Sequence, residues 1–242
     1  MSIKTKDRWQ DLEHPQSISP PPPLKTGDRL LRAEFERRYE AHPEIKQAEL
    51  IEGVVYVASP VFYPQHGRPH FDLITWLGGY RIATLGIEGG DNATLRLDDE
   101  NEPQPDILLR LDSKFGGRSR IAEDNYLEGS PELIVEVAAT SVAHDLQRKK
   151  QVYARHGVPE YLVAEANNQL FHWFTLHQGV YHLLLPDDRG ILRSRVFPGL
   201  WLQPEAFWVG DMATVLAVLQ EGLASSEHAA FVTHLRARQS GT

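Results

Sequence analysis

Short runs of hydrophobic residues, several of them alternating with polar ones, recur through the middle of the chain and predict β-strands. The first segment, "AELIEGVVYVASP", has two such runs on either side of a Glu-Gly pair, which predicts a hairpin. The other segments with strand character are "NATLRLDD", "QPDILLRLD", "PELIVEVAA", "EYLVAE", "LFHWFTL" and "VYHLLLP". Helical segments lie between some of them, so the pattern predicts an α/β or α+β domain, with a central mixed sheet flanked by helices.

Hydrophobic residues three or four positions apart predict the helices. The face expected in "RLLRAEFERRYEAH" consists of Leu31, Phe35 and Tyr39. In "HGRPHFDLITWLGGYRIAT" a helix is expected to begin after Pro69 and to end at Gly78 and Gly79. The buried face expected for that helix consists of Phe71, Ile74, Trp76 and Leu77. A further helix, "VAHDLQRKKQVYARHG", is expected to end at Gly157.

The two ends of the chain differ from its middle. Residues 1–28 are expected to form a proline-rich arm, since the run "SPPPP" excludes a helix there. Residues 29–198 are the expected folded domain, and residues 199–242 a helical extension that packs on the core or on a partner. The apolar stripe of this extension favours internal packing or a homodimer and consists of Met212, Val215, Leu216 and Leu219.

Composition excludes several kinds of site and partner. The 242 residues include no cysteine, which rules out disulfides, thiol nucleophiles and thiolate metal sites. Lys and Arg number 25 against 33 Asp and Glu, so the net charge of -8 disfavours nonspecific nucleic-acid binding and any contact with DNA must be local. No apolar leader and no run of about 18 apolar residues occurs, so we expect a soluble cytoplasmic protein without a membrane span.

Two carboxylates interrupt the predicted strands. In "PELIVEVA", Glu136 lies among apolar residues on both faces of its strand and is expected to be buried. In "PDILLRL", Asp106 begins a strand and shares a face with Leu108 and Arg110. A buried carboxylate without a partner is costly or takes up a proton, so we expect both acids to have partners.

The helix that follows the second of these strands supplies a cation. At about 100° per residue, Lys149 and Tyr153 fall on the apolar stripe of Val142, so the lysine lies on the buried face. Asp145 precedes Lys149 by four residues, the favourable order for a helical ion pair. Carboxylate ligands suit Mg²⁺ or Mn²⁺, and a nearby lysine can orient water or stabilise negative charge.

Three stretches together resemble the Uma-two family of restriction endonucleases, within the PD-(D/E)xK nuclease superfamily. They are "AELIEGVVYVASP" followed by "HG", then "PQPDILL", and "YLEGSPELIVEVAATSVAHDLQRKKQVYARHGVPEYLV". The resemblance extends from about residue 29 to the C-terminus. It implies a restriction-endonuclease-like core and a Mg²⁺-dependent endonuclease that hydrolyses phosphodiester bonds in DNA, with Mn²⁺ as a substitute.

The resemblance also implies a set of site residues. Asp106 and Glu136 match the acids that bind the metal, and the backbone carbonyl of Val137 completes the protein ligands. The superfamily has its catalytic lysine two residues after the second acid, where this chain has Ala138, so Lys149 is expected to replace it from the helix. The residues expected to support the site are Glu49, Asp145 and Tyr153.

Other interpretations stay open from the sequence alone. Glu136 could pair with Lys149 or Arg110 for folding only, in a noncatalytic binding or assembly protein that keeps the nuclease fold. Glu49 could cap the hairpin. An RNA-directed nuclease is a third possibility.

Two histidines, His66 and His70, follow the hairpin and could touch a ligand or a phosphate. Each is expected to be a neutral histidine that forms a hydrogen bond with a backbone group.

Overall fold

The computed structural model describes residues 20–139 and 141–240, so most of the predicted N-terminal arm lies outside the described residues. The helices are α1 (Arg32–Ala41), α2 (Arg68–Ala83), α3 (Lys150–Arg155), α4 (Pro204–Val209), α5 (Met212–Leu223) and α6 (Ser226–Ser240). The strands are β1 (Ala48–Ile51), β2 (Val54–Val57), β3 (Ile87–Asp91), β4 (Leu95–Arg96), β5 (Ile107–Leu111), β6 (Arg120–Ile121), β7 (Leu127–Glu128), β8 (Leu133–Ala138), β9 (Glu160–Glu165), β10 (Leu170–His177), β11 (Val180–Leu183), β12 (Leu192–Arg193) and β13 (Trp201–Leu202). Two π-helical turns, Tyr63–Gly67 and His144–Lys149, lead directly into α2 and α3.

Six strands form the central sheet, in the order β11-β10-β9-β8-β5-β3. Strands β8 and β9 are parallel, and the other neighbouring pairs are antiparallel. The parallel pair is connected through α3, because parallel strands need a crossover connection. The predicted mixed sheet flanked by helices is confirmed.

Alternation along the strands divides the core between the two faces of this sheet. Ile107 and Val135 belong to the hydrophobic cluster that α2 and α5 complete. Leu108 and Ile134 belong to a second cluster, which includes Tyr153 of α3. Each strand therefore buries both of its faces, and a polar side chain within it must find its partners inside the protein.

Strand β3 is absent from the predicted strands. Its sequence, "IEGGD", contains two glycines, and glycine has a low strand propensity. Gly89 and Gly90 lie against Leu109 and Leu108 of β5, and a Cβ on either glycine would come within 3.3 Å of the leucine side chain. The close approach of a neighbouring strand, which local sequence does not encode, explains these glycines.

Helix α2 differs from its prediction in two respects. It continues through Gly78 and Gly79 to Ala83, and Phe71, expected on the buried face, is 70% exposed. A Cβ on Gly79 would lie 3.0 Å from Leu219 Cδ2 of α5. Gly79 therefore marks a close contact between two helices and not a helix end.

The predicted hairpin is formed by β1 and β2. Its central residues Glu52 and Gly53 have φ angles of 53° and 70°, as a type I′ turn requires. Leu31, expected on a buried helix face, precedes α1 and is 59% exposed. A bridge from Leu50 to Glu102 holds the hairpin against the segment that enters β5. The small core around the hairpin consists of Leu24, Phe35, Ala48, Leu50 and Val55.

The C-terminal helices pack on the rest of the chain. Val215 and Leu219 of the predicted stripe are fully buried in the cluster that contains Trp76 of α2. Arg238 of α6 donates a 2.9 Å hydrogen bond to the backbone carbonyl of Phe115. None of the helices in the described ranges is long and apolar enough to cross a membrane.

A pH-dependent contribution to stability is expected from Glu102, which is 1% exposed. Burial, together with the neighbouring carboxylate of Glu36, raises the pKa of Glu102 from 4.5 to about 8. The folded protein then keeps a proton that the unfolded chain loses, so this group's contribution is present below pH 4.5 and is lost as the pH rises through about 8. We expect Glu102→Gln to remove a slope of up to about 1.4 kcal/mol per pH unit in the free energy of unfolding.

Urea unfolding of both proteins across this pH interval measures the difference. Glu100→Gln, the same chemical change at an exposed position two residues away, is the matched control. If the free energies of unfolding of wild type and Glu102→Gln change in parallel with pH, Glu102 is ionised in the folded state.

Candidate active site

Asp106 and Glu136 lie side by side where β5 and β8 pair. In the antiparallel register Ile107 is opposite Val135, which brings the preceding Asp106 opposite Glu136. The amide of Val137 donates a 2.7 Å hydrogen bond to Asp106 Oδ2, and the Asp106 amide lies 3.4 Å from Glu136 Oε2. The two acids are 9% and 3% exposed. The structure therefore brings together two carboxylates that are far apart along the chain.

Lys149 connects the strand acid to the hairpin. Its Nζ lies 3.0 Å from Glu136 Oε1 and 2.9 Å from Glu49 Oε2. The distance from Nζ to Asp145 Oδ1 is 3.9 Å, too long for a hydrogen bond. Glu49 thus holds the amine more closely than Asp145 does, and it does not serve merely as a hairpin cap.

A π-helical turn presents the lysine to this cluster. The sequence predicts a regular α-helix here, but residues His144–Lys149 have the wider π pitch before α3 begins. Asp145 and Lys149 both point inward from this turn and are 3% and 5% exposed. The hydroxyl of Ser141 donates a 2.5 Å hydrogen bond to Asp145 Oδ2 and fixes that carboxylate. π-Turns of this kind often occur at functional sites.

Tyr153 completes the surroundings of the strand acid. Its hydroxyl donates a 3.0 Å hydrogen bond to Glu136 Oε1, the oxygen that also faces Lys149. Arg110, the other cation considered as a partner for Glu136, binds Glu88 and Ser119 instead. Its position on β5 places it four residues beyond the acid of that strand, away from this cluster.

The electrostatics of the cluster combine burial with close pairing. Burial raises the pKa of Glu136 well above its usual value, although Lys149 opposes the shift. Burial would lower the pKa of Lys149, but the carboxylates of Glu136, Glu49 and Asp145 together raise it well above its usual value. Burial would also raise the pKa of Glu49, yet Lys149 and His144 lower it on balance. Lys149 is therefore a permanent cation, and burial disfavours the charged form of Glu136.

His66, which the sequence analysis does not place among the catalytic or metal-binding residues, lies within the site. Its Nδ1 lies 3.2 Å from the backbone carbonyl of Val137, and its Nε2 lies 3.6 Å from Asp106 Oδ1. A carbonyl oxygen only accepts hydrogen bonds, so Nδ1 carries a proton. His70 likewise meets a backbone group, the carbonyl of Asp106 at 3.1 Å, which is the role expected for both rings. The sequence signal that could have found His66 is the "HG" after the hairpin.

His66, Lys149 and the carboxylates around it line one cavity of about 310 Å³. Its mouth is formed by the chain between β2 and the first π-turn, including Val61 and Phe62. Lys149 is the one lysine or arginine among the described residues that line it. The acids that line it are Glu49, Asp106, Glu136 and Asp145. One permanent cation therefore faces four carboxyl groups in a cavity that is open to solvent on one side.

Comparison with known proteins identifies the family. The family model Uma2, described as "Putative restriction endonuclease", matches residues 32–205. The chain belongs to the Uma2 family. The fold of this Uma2 protein is similar to that of a crystal structure from Anabaena variabilis, described as a "putative nuclease belonging to DUF820". The two chains have 13% sequence identity and a TM-score of 0.50, and the match covers 67% of this chain and 89% of that one. This likeness confirms the restriction-endonuclease-like architecture. No curated protein matches the chain.

The donor atoms in this Uma2 cavity fit a divalent ion held by oxygen. Asp106, Glu136 and the carbonyl of Val137 supply oxygens at one place, and the excess of carboxylates over Lys149 calls for added positive charge. No group of three His, Asp or Glu side chains suited to a metal ion occurs in the described ranges. An ion would rest on two carboxylates and one carbonyl, with its other positions left to water and substrate.

The structure also bears on the lysine that the sequence resemblance implies. Ala138, which stands two residues after Glu136 where the resemblance implies that lysine, is fully buried in the sheet. The amine of Lys149 reaches Glu136 from the π-turn instead. A lysine is thus present next to the second acid, although it comes from another element of the fold.

Proposed function

We propose that this protein is a divalent-metal-dependent endonuclease that hydrolyses phosphodiester bonds in DNA, with Mg²⁺ as the ion and Mn²⁺ as a substitute. The observation that carries the proposal is the convergence of Asp106, Glu136 and Lys149 in one cavity. Membership of a family described as restriction endonucleases supports the reaction class.

Each residue has a distinct role in the proposed reaction. Asp106, Glu136 and the Val137 carbonyl hold the ion, which when bound polarises the phosphate and lowers the pKa of water. Lys149, always charged, offsets the buried carboxylates and lines the cavity, where it stabilises the negative charge that develops on the phosphate. Glu49 and Tyr153 position the amine and Glu136, and Asp145 adds a more distant charge to Lys149.

Assembly and location belong to the same proposal. A homodimer needs a surface other than the stripe of α5, because Val215 and Leu219 are buried within the chain. The cytoplasmic location stays a prediction.

Calorimetric titration with Mn²⁺ tests the proposed site. We expect wild type to bind the ion, and Asp106→Asn to weaken binding by at least about tenfold, since even residues that only support metal ligands commonly cost 10- to 100-fold. Asparagine can still accept the hydrogen bond from the Val137 amide, so the fold should be preserved. Asp188→Asn, at an exposed acid away from the cavity, is the matched control.

Hydrolysis of labelled DNA and RNA by the same proteins, with Mg²⁺ or with EDTA, tests the reaction. Metal-dependent cleavage of DNA by wild type and its loss in Asp106→Asn are the expected results. Absence of both Mn²⁺ binding and cleavage would favour the noncatalytic assembly protein, and cleavage of RNA alone would favour the RNA-directed nuclease.

A further inference from the structure

Large apolar side chains are exposed at the mouth of the acidic cavity. Val61, Phe62 and Tyr63 are 63%, 72% and 72% exposed, and the first two line the cavity. They lie at the entrance to the π-turn that carries His66, so the same short segment reaches from the solvent to Asp106. Exposed apolar side chains that adjoin a functional cavity are typical of a ligand-binding surface.

The charge of the cavity limits how a polyanion can be held there. The one lining lysine or arginine among the described residues, Lys149, is already paired with Glu136 and Glu49. Neutralisation of phosphates by lysine and arginine, the usual source of affinity for a duplex, is therefore weak at this mouth. Stacking of a base on an aromatic ring does not need a cation and contributes about 1–3 kcal/mol per base.

The size of the cavity favours a single nucleotide over a duplex. Its volume of about 310 Å³ is at the lower end of the range for small-molecule pockets. In a duplex the faces of the bases are covered by their neighbours, whereas an unpaired base can offer a face to Phe62 or Tyr63.

We propose that Phe62 and Tyr63 form a stacking platform for an unpaired base next to the scissile phosphate, and that the substrate is single-stranded or locally unpaired nucleic acid. This inference rests on the proposed nuclease function and specifies its substrate class. The base stacks at the rim, and the attached phosphate enters the cavity toward Asp106 and Glu136.

Fluorescence anisotropy in the Glu136→Gln background, in which cleavage is expected to be lost, measures the platform directly. The probes are a labelled oligothymidylate, the same strand with abasic positions, and a labelled blunt-ended duplex with no unpaired bases. We expect oligothymidylate to bind at least about tenfold more tightly than the duplex. Adding Phe62→Ala should weaken oligothymidylate binding about fivefold or more, with little change for the abasic strand. Phe62→Trp should restore binding.

The control is Leu185→Ala, which removes an equally exposed apolar side chain that does not line the cavity. Equal binding of duplex and single strand, or an unchanged affinity in Phe62→Ala, would overturn the inference. So would sedimentation showing a dimer that Phe62→Ala dissociates, because a second copy of the chain would then cover the platform. If either binding result occurs while wild type cleaves duplex DNA, the proposed nuclease function is supported and only the proposed preference for unpaired substrate is wrong.

Discussion

Replacing Lys149 with methionine is expected to lower the free energy of unfolding by about 3–5 kcal/mol at neutral pH, because breaking a buried ion pair leaves its partners uncompensated. The amine is 5% exposed and lies within 3.0 Å of carboxylate oxygens of both Glu136 and Glu49. Methionine fills a similar volume, so the loss reports charge and not a cavity. Chemical denaturation monitored by circular dichroism measures it.

Two comparisons make this result specific. Lys150→Met changes the adjacent lysine, whose ammonium lies over the ring of Phe174, and should cost less than about 1 kcal/mol because methionine also packs on aromatic rings. Combining Lys149→Met with Glu136→Gln should recover part of the lost stability, since one of the unpaired acids is removed. If Lys149→Met unfolds at the same denaturant concentration as wild type, the buried carboxylates are not charged when the amine is present.

Replacing Glu136 with glutamine is expected to reduce nuclease activity at least about 100-fold while leaving stability unchanged or raised. Burial raises the pKa of Glu136 well above its usual value, which shows that the charged carboxylate is costly at this position, and a neutral glutamine of the same shape removes that cost. Its amide oxygen still accepts from Lys149 and Tyr153. Functional sites commonly hold such groups at the expense of stability.

Activity and unfolding must therefore be measured on the same preparation of Glu136→Gln. Glu123→Gln, at an exposed position outside the cavity, supplies the control for the chemical change. A fully active Glu136→Gln would remove this residue from the proposed metal site. A strongly destabilised one would show that the carboxylate serves the fold.

The sequence predicted the sheet better than the helix details. Alternation correctly placed Ile107 and Leu108 on opposite faces of one strand, and Ile134 and Val135 on opposite faces of another. It failed at β3, where glycines hide a strand, and at Gly79, where a glycine that resembles a helix end allows contact with Leu219. Both failures have the same cause, because in each case a neighbour distant in sequence determines why glycine is required.

Site residues could be predicted where the local sequence puts a charged side chain at a position that the hydrophobic pattern expects to be buried. Glu136 in an apolar strand and Lys149 on an apolar helix stripe each needed a partner, and the structure places them 3.0 Å apart. His66 gave no such conflict, since a histidine at the start of a helix is unremarkable alone. Its contacts with Val137 and Asp106 arise only from how α2 approaches the sheet.

The sequence by itself determined that this protein has a mixed sheet with two buried acids and a buried lysine, because hydrophobic periodicity and the cost of burying charge are local properties. Only the tertiary structure decided that Glu49 holds the lysine more closely than Asp145, that a π-turn presents Lys149, and that exposed aromatic residues border the cavity. Those arrangements depend on strand register and on the approach of separate elements, which no local pattern specifies.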